Sequence, residues 1–239
     1  MARSRRQVTA RLLAVHGVVL TVGFVIAPGT SSPAHAADPV VGLGAADTFA
    51  VLGASEVTNT GATQVSGDVG VNTGSSITGF PPGIIITNGT THQTDAVSLQ
   101  AQADLAVAYD DASGRTRTVL TNPDLAGLTL TAGTYSGGAL ELNGDLTLSG
   151  DKDSVFVFQA ASTLITGSNS RILFIGDVSF CNVFWRVPSS ATLGTNSNFV
   201  GTIMAMTSVT ADIGATIAGR LLARNAAVTL DANIITRPT

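Results

Sequence analysis

The feature that most constrains this chain is an internal repeat of eighteen residues. Residues 191–208 set against 209–226 pair Thr192 with Thr210, Phe199 with Ile217, Gly201 with Gly219, Ile203 with Leu221 and Ala205 with Ala223. A period near eighteen, built of short β-type runs with Gly at fixed places, is what one turn of a β-solenoid requires, because each coil buries its inner side chains only by stacking on the next. The same pattern, a Thr between small or apolar residues, recurs at Thr147, Thr163, Thr192, Thr210 and Thr229. Alternation along a strand sends the neighbours inward and the Thr outward. Five successive coils are therefore expected to stack an outward Thr, with one longer excursion between Thr163 and Thr192.

A different element precedes these coils. From about Thr94 to Ala112 the chain is rich in Ala, Gln, Leu and Asp, and Val97, Ala101, Leu105, Ala108 and Ala112 share one helical face. The spacing predicts an amphipathic helix of about five turns, capped by Thr94 or Asp95 and ending near Gly114 and Arg115. Its apolar stripe needs a partner, and the flank of the solenoid is the large apolar surface on offer. Residues 43–90, with the turn Phe80-Pro81-Pro82-Gly83, read as further coils or a cap.

Charge narrows the function. Arg3, Arg5, Arg6 and Arg11, the apolar run from Leu12 to Ala27 and the site Ala34-His35-Ala36 read as a signal peptide cleaved after residue 36. Ser4-Arg5-Arg6 is compatible with either general or twin-arginine export. A secreted, extracellular chain of residues 37–239 forming a single domain is expected. Four of the twelve basic residues and none of the sixteen acidic ones leave with the leader, so the remainder is near minus eight. No Lys/Arg cluster remains to neutralise phosphates, and the leader run is too short to hold the protein in a bilayer; neither nucleic acid nor membrane is an expected partner. A monomer is expected. Charged residues are only 12% of the chain, so its surface must be built largely of Thr, Ser, Asn and Gly. Cys181, lying in an apolar stretch, reads as a buried, inert thiol with no disulfide to form.

Several longer stretches carry a resemblance. Ile77-Thr78-Gly79-Phe80-Pro81-Pro82-Gly83, Ala101-Gln102-Ala103-Asp104-Leu105, Ser154-Val155-Phe156-Val157-Phe158-Gln159 and Cys181-Asn182-Val183-Phe184-Trp185 are among them. Ser190-Ala191-Thr192-Leu193-Gly194, Gly219-Arg220-Leu221-Leu222-Ala223-Arg224-Asn225 and Val228-Thr229-Leu230-Asp231 continue it. Over residues 43–236 the chain resembles the secreted microbial ice-binding (antifreeze) family. The resemblance implies a mainly β fold, a right-handed discontinuous β-helix (β-solenoid) of triangular section with one long α-helix packed alongside, and one flat face that binds ice. It also implies that segments of the form Thr-Ala/Gly-x-Thr/Asn can mark that face, matched here by Thr60 to Thr63, Thr131 to Thr134 and Thr166 to Asn169.

A Thr array suits ice for a physical reason. Stacked strands repeat at about 4.8 Å, so coils offer a grid of side chains at near-crystalline spacing. Thr brings a hydroxyl that joins a water lattice, a methyl that orders water beside it, and a β-branch with few rotamers to freeze. The candidate ice-contacting residues are Thr147, Ser149, Thr163, Thr192, Thr210 and Thr229; Thr60, Thr63, Thr131, Thr134, Thr166 and Asn169 are secondary. The expected effect is inhibition of ice growth or recrystallisation. Thr is also simply a good outward strand residue, and Asp212 and Asp231 would bring two charges beside the ladder.

Two other function classes share the fold. A secreted adhesin or extracellular-matrix module needs no catalytic site either. A polysaccharide-cleaving β-helix enzyme could use Asp212 and Asp231, whose carboxylates neighbouring rungs would hold roughly 5 Å apart. Sugar-binding aromatics are scarce, with one Trp and two Tyr, and His92 is the lone histidine after residue 36, expected at the surface where the helix begins. No Cys/His spacing suits zinc, and calcium between the two Asp would lack further oxygen ligands. No enzyme, metal or cofactor is expected. Arg220 and Arg224 are expected to cover a coil flank or pair with carboxylates.

Overall fold

A computed structural model describes residues 38–238; the expected signal peptide and cleavage site lie outside them. The chain winds as a three-sided β-helix whose strands all pair in parallel, and one α-helix lies along one side. The first side, here the threonine face, stacks Leu140–Leu142, Leu164–Thr166, Ala191–Leu193, Val209–Ala211, Val228–Asp231, Glu56–Thr60 and Ser76–Thr78, in that order. The second, the helix face, runs from Thr118–Val119 through Phe156–Ala160, Val183–Val187 and Phe49–Gly53 to Thr91–Gln93. The third runs from Thr129–Thr131 through Asp145–Gly150 and Arg171–Gly176 to Ile84–Ile86.

The eighteen-residue repeat appears as two long strands, Asn198–Ala205 and Thr216–Ala223, paired over all eight residues. Each bends from the third face onto the helix face at Gly201 and Gly219, which lie in register. Gly201 sits at φ +110°, and a Cβ there would lie 2.6 Å from the Val183 carbonyl and 2.9 Å from Trp185 Nε1. Only Gly lets the coil turn against the indole, which donates to the Val200 carbonyl at 2.9 Å. Inside the coil, Tyr135, Phe158, Trp185 and Phe199 form a continuous aromatic stack with centroids 4.1 to 5.9 Å apart.

The order of coils is not the order of sequence. Val57 pairs with Val228, and Val51 with Leu221, so the coils of residues 49–93 continue the stack beyond its C-terminal rung. The helix Ala96–Gly114 carries the chain from that end back to the other, where Thr118–Val119 begins the remaining coils.

The helix starts two residues later than the sequence suggests. Asp95 caps it, accepting from the Ser98 amide at 2.8 Å while Ser98 Oγ accepts from the Asp95 amide at 3.1 Å. Ala101, Leu105, Ala108 and Ala112 are buried as expected, with Ser98 and Tyr109. Val97 instead is 44% exposed, because the buried stripe enters the first turn at Ser98. The helix covers Leu52, Val157, Phe184, Met204 and Leu222, which makes the helix face apolar on both sides. Cys181 is half-buried rather than buried, because Phe180–Asn182 forms a short 3-10 turn at the coil margin. Arg220 is buried and paired with Asp47 at 2.6 Å, and Arg224 lies over the Tyr109 ring.

Candidate functional site

On a strand buried on one side, every second residue points out, and in-register parallel pairing puts equivalent residues directly above one another. The central outward column of the threonine face therefore reads Glu141, Ile165, Thr192, Thr210, Thr229, Thr58 and Thr78. Five consecutive rungs carry Thr. At about 4.8 Å per rung they span roughly 19 Å. Thr58 Oγ1 lies 3.4 Å from Thr229 Oγ1 across the junction between the N-terminal and C-terminal coils. The column one step upstream holds Thr163, Ser190, Ser208, Ala227, Glu56 and Ser76, and Ser208 donates to Ser190 at 2.9 Å. Downstream, Gly194, Asp212, Asp231 and Thr60 occupy consecutive rungs, so the two Asp do border the ladder.

Thr192, Thr210 and Thr229 stand in one ladder, as the repeat indicates. Thr147 does not join them: it pairs with Thr129 and Leu173 on the third face, with Ser149 beside Thr131 and Ile175. Thr163 lies on the threonine face but one column aside, where Ile165 takes the ladder position. Alternation distinguishes inside from outside, but a three-sided coil has three outsides. Thr58 and Thr78 complete the ladder and were not among the expected residues.

The three Thr-Ala/Gly-x-Thr/Asn segments fall in different places. Thr60 is exposed on the threonine face, but Thr63 is buried and accepts from the Asn233 amide at 3.0 Å. Thr131 is on the third face, while Thr134 is buried and donates to Asp38 at 2.8 Å. Thr166 points inward and accepts from the Gly194 amide at 2.9 Å, and Asn169 turns the coil corner at φ +59°. They form no array, because a corner turn uses Thr and Asn to satisfy backbone groups as readily as a face uses them outward.

Other candidate groups are structural. His92 Nδ1 lies 2.7 Å from Asp95 Oδ2 and Nε2 lies 2.9 Å from Thr90 Oγ1, tying the helix cap to the last coil. The Asp95 carboxyl is lowered to about 2, first by the Ser98 amide and then by the His92 hydrogen bond. Among the described residues no group of three His, Cys, Asp or Glu could hold a metal ion, and no helix is long and apolar enough to cross a membrane. Asp212 and Asp231 line none of the grooves of about 360, 440 and 190 Å³. The third face differs from the threonine face: Leu173, Ile175, Ile84, Ile86 and Ile234 are exposed there beside the Arg171–Asp145 ion pair.

Comparison with known proteins agrees with this architecture. The family model described as Ice-binding-like matches residues 51–236. An ice-binding protein of Nostoc sp. (strain HG1) is 51% identical over 197 residues, covering 80% of this chain and 72% of that protein. One from Flavobacterium frigoris (strain PS1) is 34% identical, covering 88% and 81%. The crystal structure of an ice-binding protein from an Antarctic biological consortium superposes with a TM-score of 0.81 at 44% identity, over 84% of this chain and 92% of that one. That of the Antarctic ascomycete Antarctomyces psychrotrophicus gives 0.79 at 43%, over 84% and 99%. With a flat ladder of threonines on a β-helix and this likeness along nearly all the described residues, the chain belongs to the ice-binding-like family.

Proposed function

We propose that this protein adsorbs to ice through the threonine face and so inhibits ice growth or recrystallisation. The observation that carries the proposal is the unbroken ladder Thr192, Thr210, Thr229, Thr58 and Thr78 on in-register strands. Each hydroxyl and methyl contributes a small contact, but the scaffold presents all of them together, so release needs many contacts to break at once. The Ser190–Ser208 column widens the array. Of the four acidic residues on this face, Glu141 ends the central column two rungs beyond Thr192, and Glu56, Asp212 and Asp231 stand in the flanking columns. Adsorption involves no covalent step, and this reading assigns the protein no cofactor and no catalytic residue. The signal-peptide pattern of residues 1–36 supports secretion, which would place the face of a monomeric protein in contact with external ice.

The test is thermal hysteresis and ice-affinity partitioning of Thr210→Tyr. A ring at the middle rungs lifts the flat surface off the lattice, so activity should fall several-fold, far more than the share of one hydroxyl. Stability should stay within about 0.5 kcal/mol, because the side chain is outward. Replacing Asp212 and Asp231 by Thr should raise activity by extending the ladder sideways. A folded, fully active Thr210→Tyr variant would show that ice meets another side.

A further inference from the structure

Eight basic residues follow residue 36, against sixteen acidic ones. Arg115, Lys152, Arg171, Arg220 and Arg237 each reach a carboxylate at 2.6 to 3.9 Å. Arg117, Arg186 and Arg224 reach none among the described residues. With two acids for every base, a guanidinium that faces a concavity without a carboxylate is a selective feature of the surface.

Arg117 and Arg186 line the same concavity. It is a groove of about 440 Å³ where the end of the helix meets the carboxyl ends of the strands Thr118–Val119, Gly133–Gly137 and Phe156–Ala160. Ser113, Ser136 and Gln159 add polar groups, Val119 and Ala160 add apolar surface, and no acidic residue lines it. Arg186 is already oriented, since its guanidinium lies 4.7 Å from the Tyr109 ring centroid and Nη1 donates to the Ala160 carbonyl at 3.2 Å. Its Nε is buried and has no hydrogen-bond partner. The helix C-terminus would ordinarily repel an anion here. Gln159 offsets this by donating through Nε2 to the Ala112 carbonyl at 2.7 Å and the Arg115 carbonyl at 3.3 Å.

The volume falls in the range of small organic ligands, roughly 300–1,000 Å³, rather than of a bare ion. We propose that this groove binds a carboxylate-bearing sugar, a uronate, free or as a unit of an acidic polysaccharide. Arg117 and Arg186 take the carboxylate, Ser113 and Ser136 meet ring hydroxyls, and Val119 and Ala160 lie under the C–H face. The groove lies at the corner where the helix-face strands Gly133–Gly137 and Phe156–Ala160 lead onto the threonine-face strands Leu140–Leu142 and Leu164–Thr166, beside the rungs that precede the Thr ladder.

Isothermal titration of residues 37–239 with galacturonate, oligogalacturonate, galactose and inorganic phosphate tests this. Galacturonate and its oligomer should bind saturably, galactose should not, and phosphate should bind at least tenfold more weakly. Arg117→Gln, an exposed change, should weaken galacturonate binding tenfold or more with melting temperature and ice partitioning unchanged; Arg186→Gln should do the same to binding. Absence of saturable galacturonate binding, equal affinity in Arg117→Gln, or galactose or phosphate matching galacturonate would each overturn the assignment.

Discussion

Ala232 stands at φ +49° at the corner between the threonine face and the third face, where neighbouring rungs use Gly61, Gly214, Asn196 and Asn169 in the same left-handed region. An L-residue there costs about 1–2 kcal/mol, partly offset by the roughly 0.4–1 kcal/mol that its stiffness contributes through the unfolded chain. Ala232→Gly should therefore raise stability by about 0.5 kcal/mol, read as a higher urea midpoint. Gly214→Ala should lower it by about 1 kcal/mol or more, since φ +74° strains an L-residue and the added Cβ would displace Asn196 Oδ1. At this scale the sequence was partly readable. Thr192, Thr210 and Thr229 align because eighteen or nineteen residues return the chain to the same face. Thr58 sits beside Thr229 across 171 residues, and no periodic shift reveals that neighbour. Thr147 and Thr163 carry the right local pattern, but one residue more or less at a corner sends the same pattern to another side or column.

Among elements, the helix was the most legible and its tethers the least. Composition and spacing place it within two residues, whereas the Gln102 amide that donates to the Gly53 and Ala223 carbonyls at 3.0 Å needs the fold to be seen. Leu105 is fully buried between helix and sheet, so Leu105→Ala should cost about 2–5 kcal/mol in chemical denaturation. The cap makes the helix acid-sensitive. The folded Asp95 carboxyl lies at about 2, below its ordinary 3.8, so its stabilisation is complete above the ordinary value and is lost as pH falls through about 2. Asp95→Asn keeps a capping side chain without the charge. Its unfolding midpoint should lie below wild type at pH 6, and the gap should close between pH 5 and pH 2; a gap independent of pH would assign the loss to packing instead.

For the whole molecule, the governing fact is that the rung Val228–Asp231 lies between Val209–Ala211 and Glu56–Thr60. Neither block of coils can close its core without the other, so residues 37–239 should unfold in one calorimetric transition. A chain stopped at residue 227 loses an internal layer rather than a terminal one. It should fail to give a cooperative transition and should aggregate, whereas loss of an end coil from an ordinary solenoid leaves the rest standing. The same interleaving sets a timetable. The coils of residues 49–93 are made before the edge they must join, which is completed by residues 228–236, and until then both blocks hold bare strand edges. Cooperative folding is therefore expected only once residues 228–236 are available, and a chain interrupted before them should stay open to proteases. The stack thus makes the folded state of the first coils conditional on the arrival of a rung made much later, as the 171-residue separation of Thr58 and Thr229 requires.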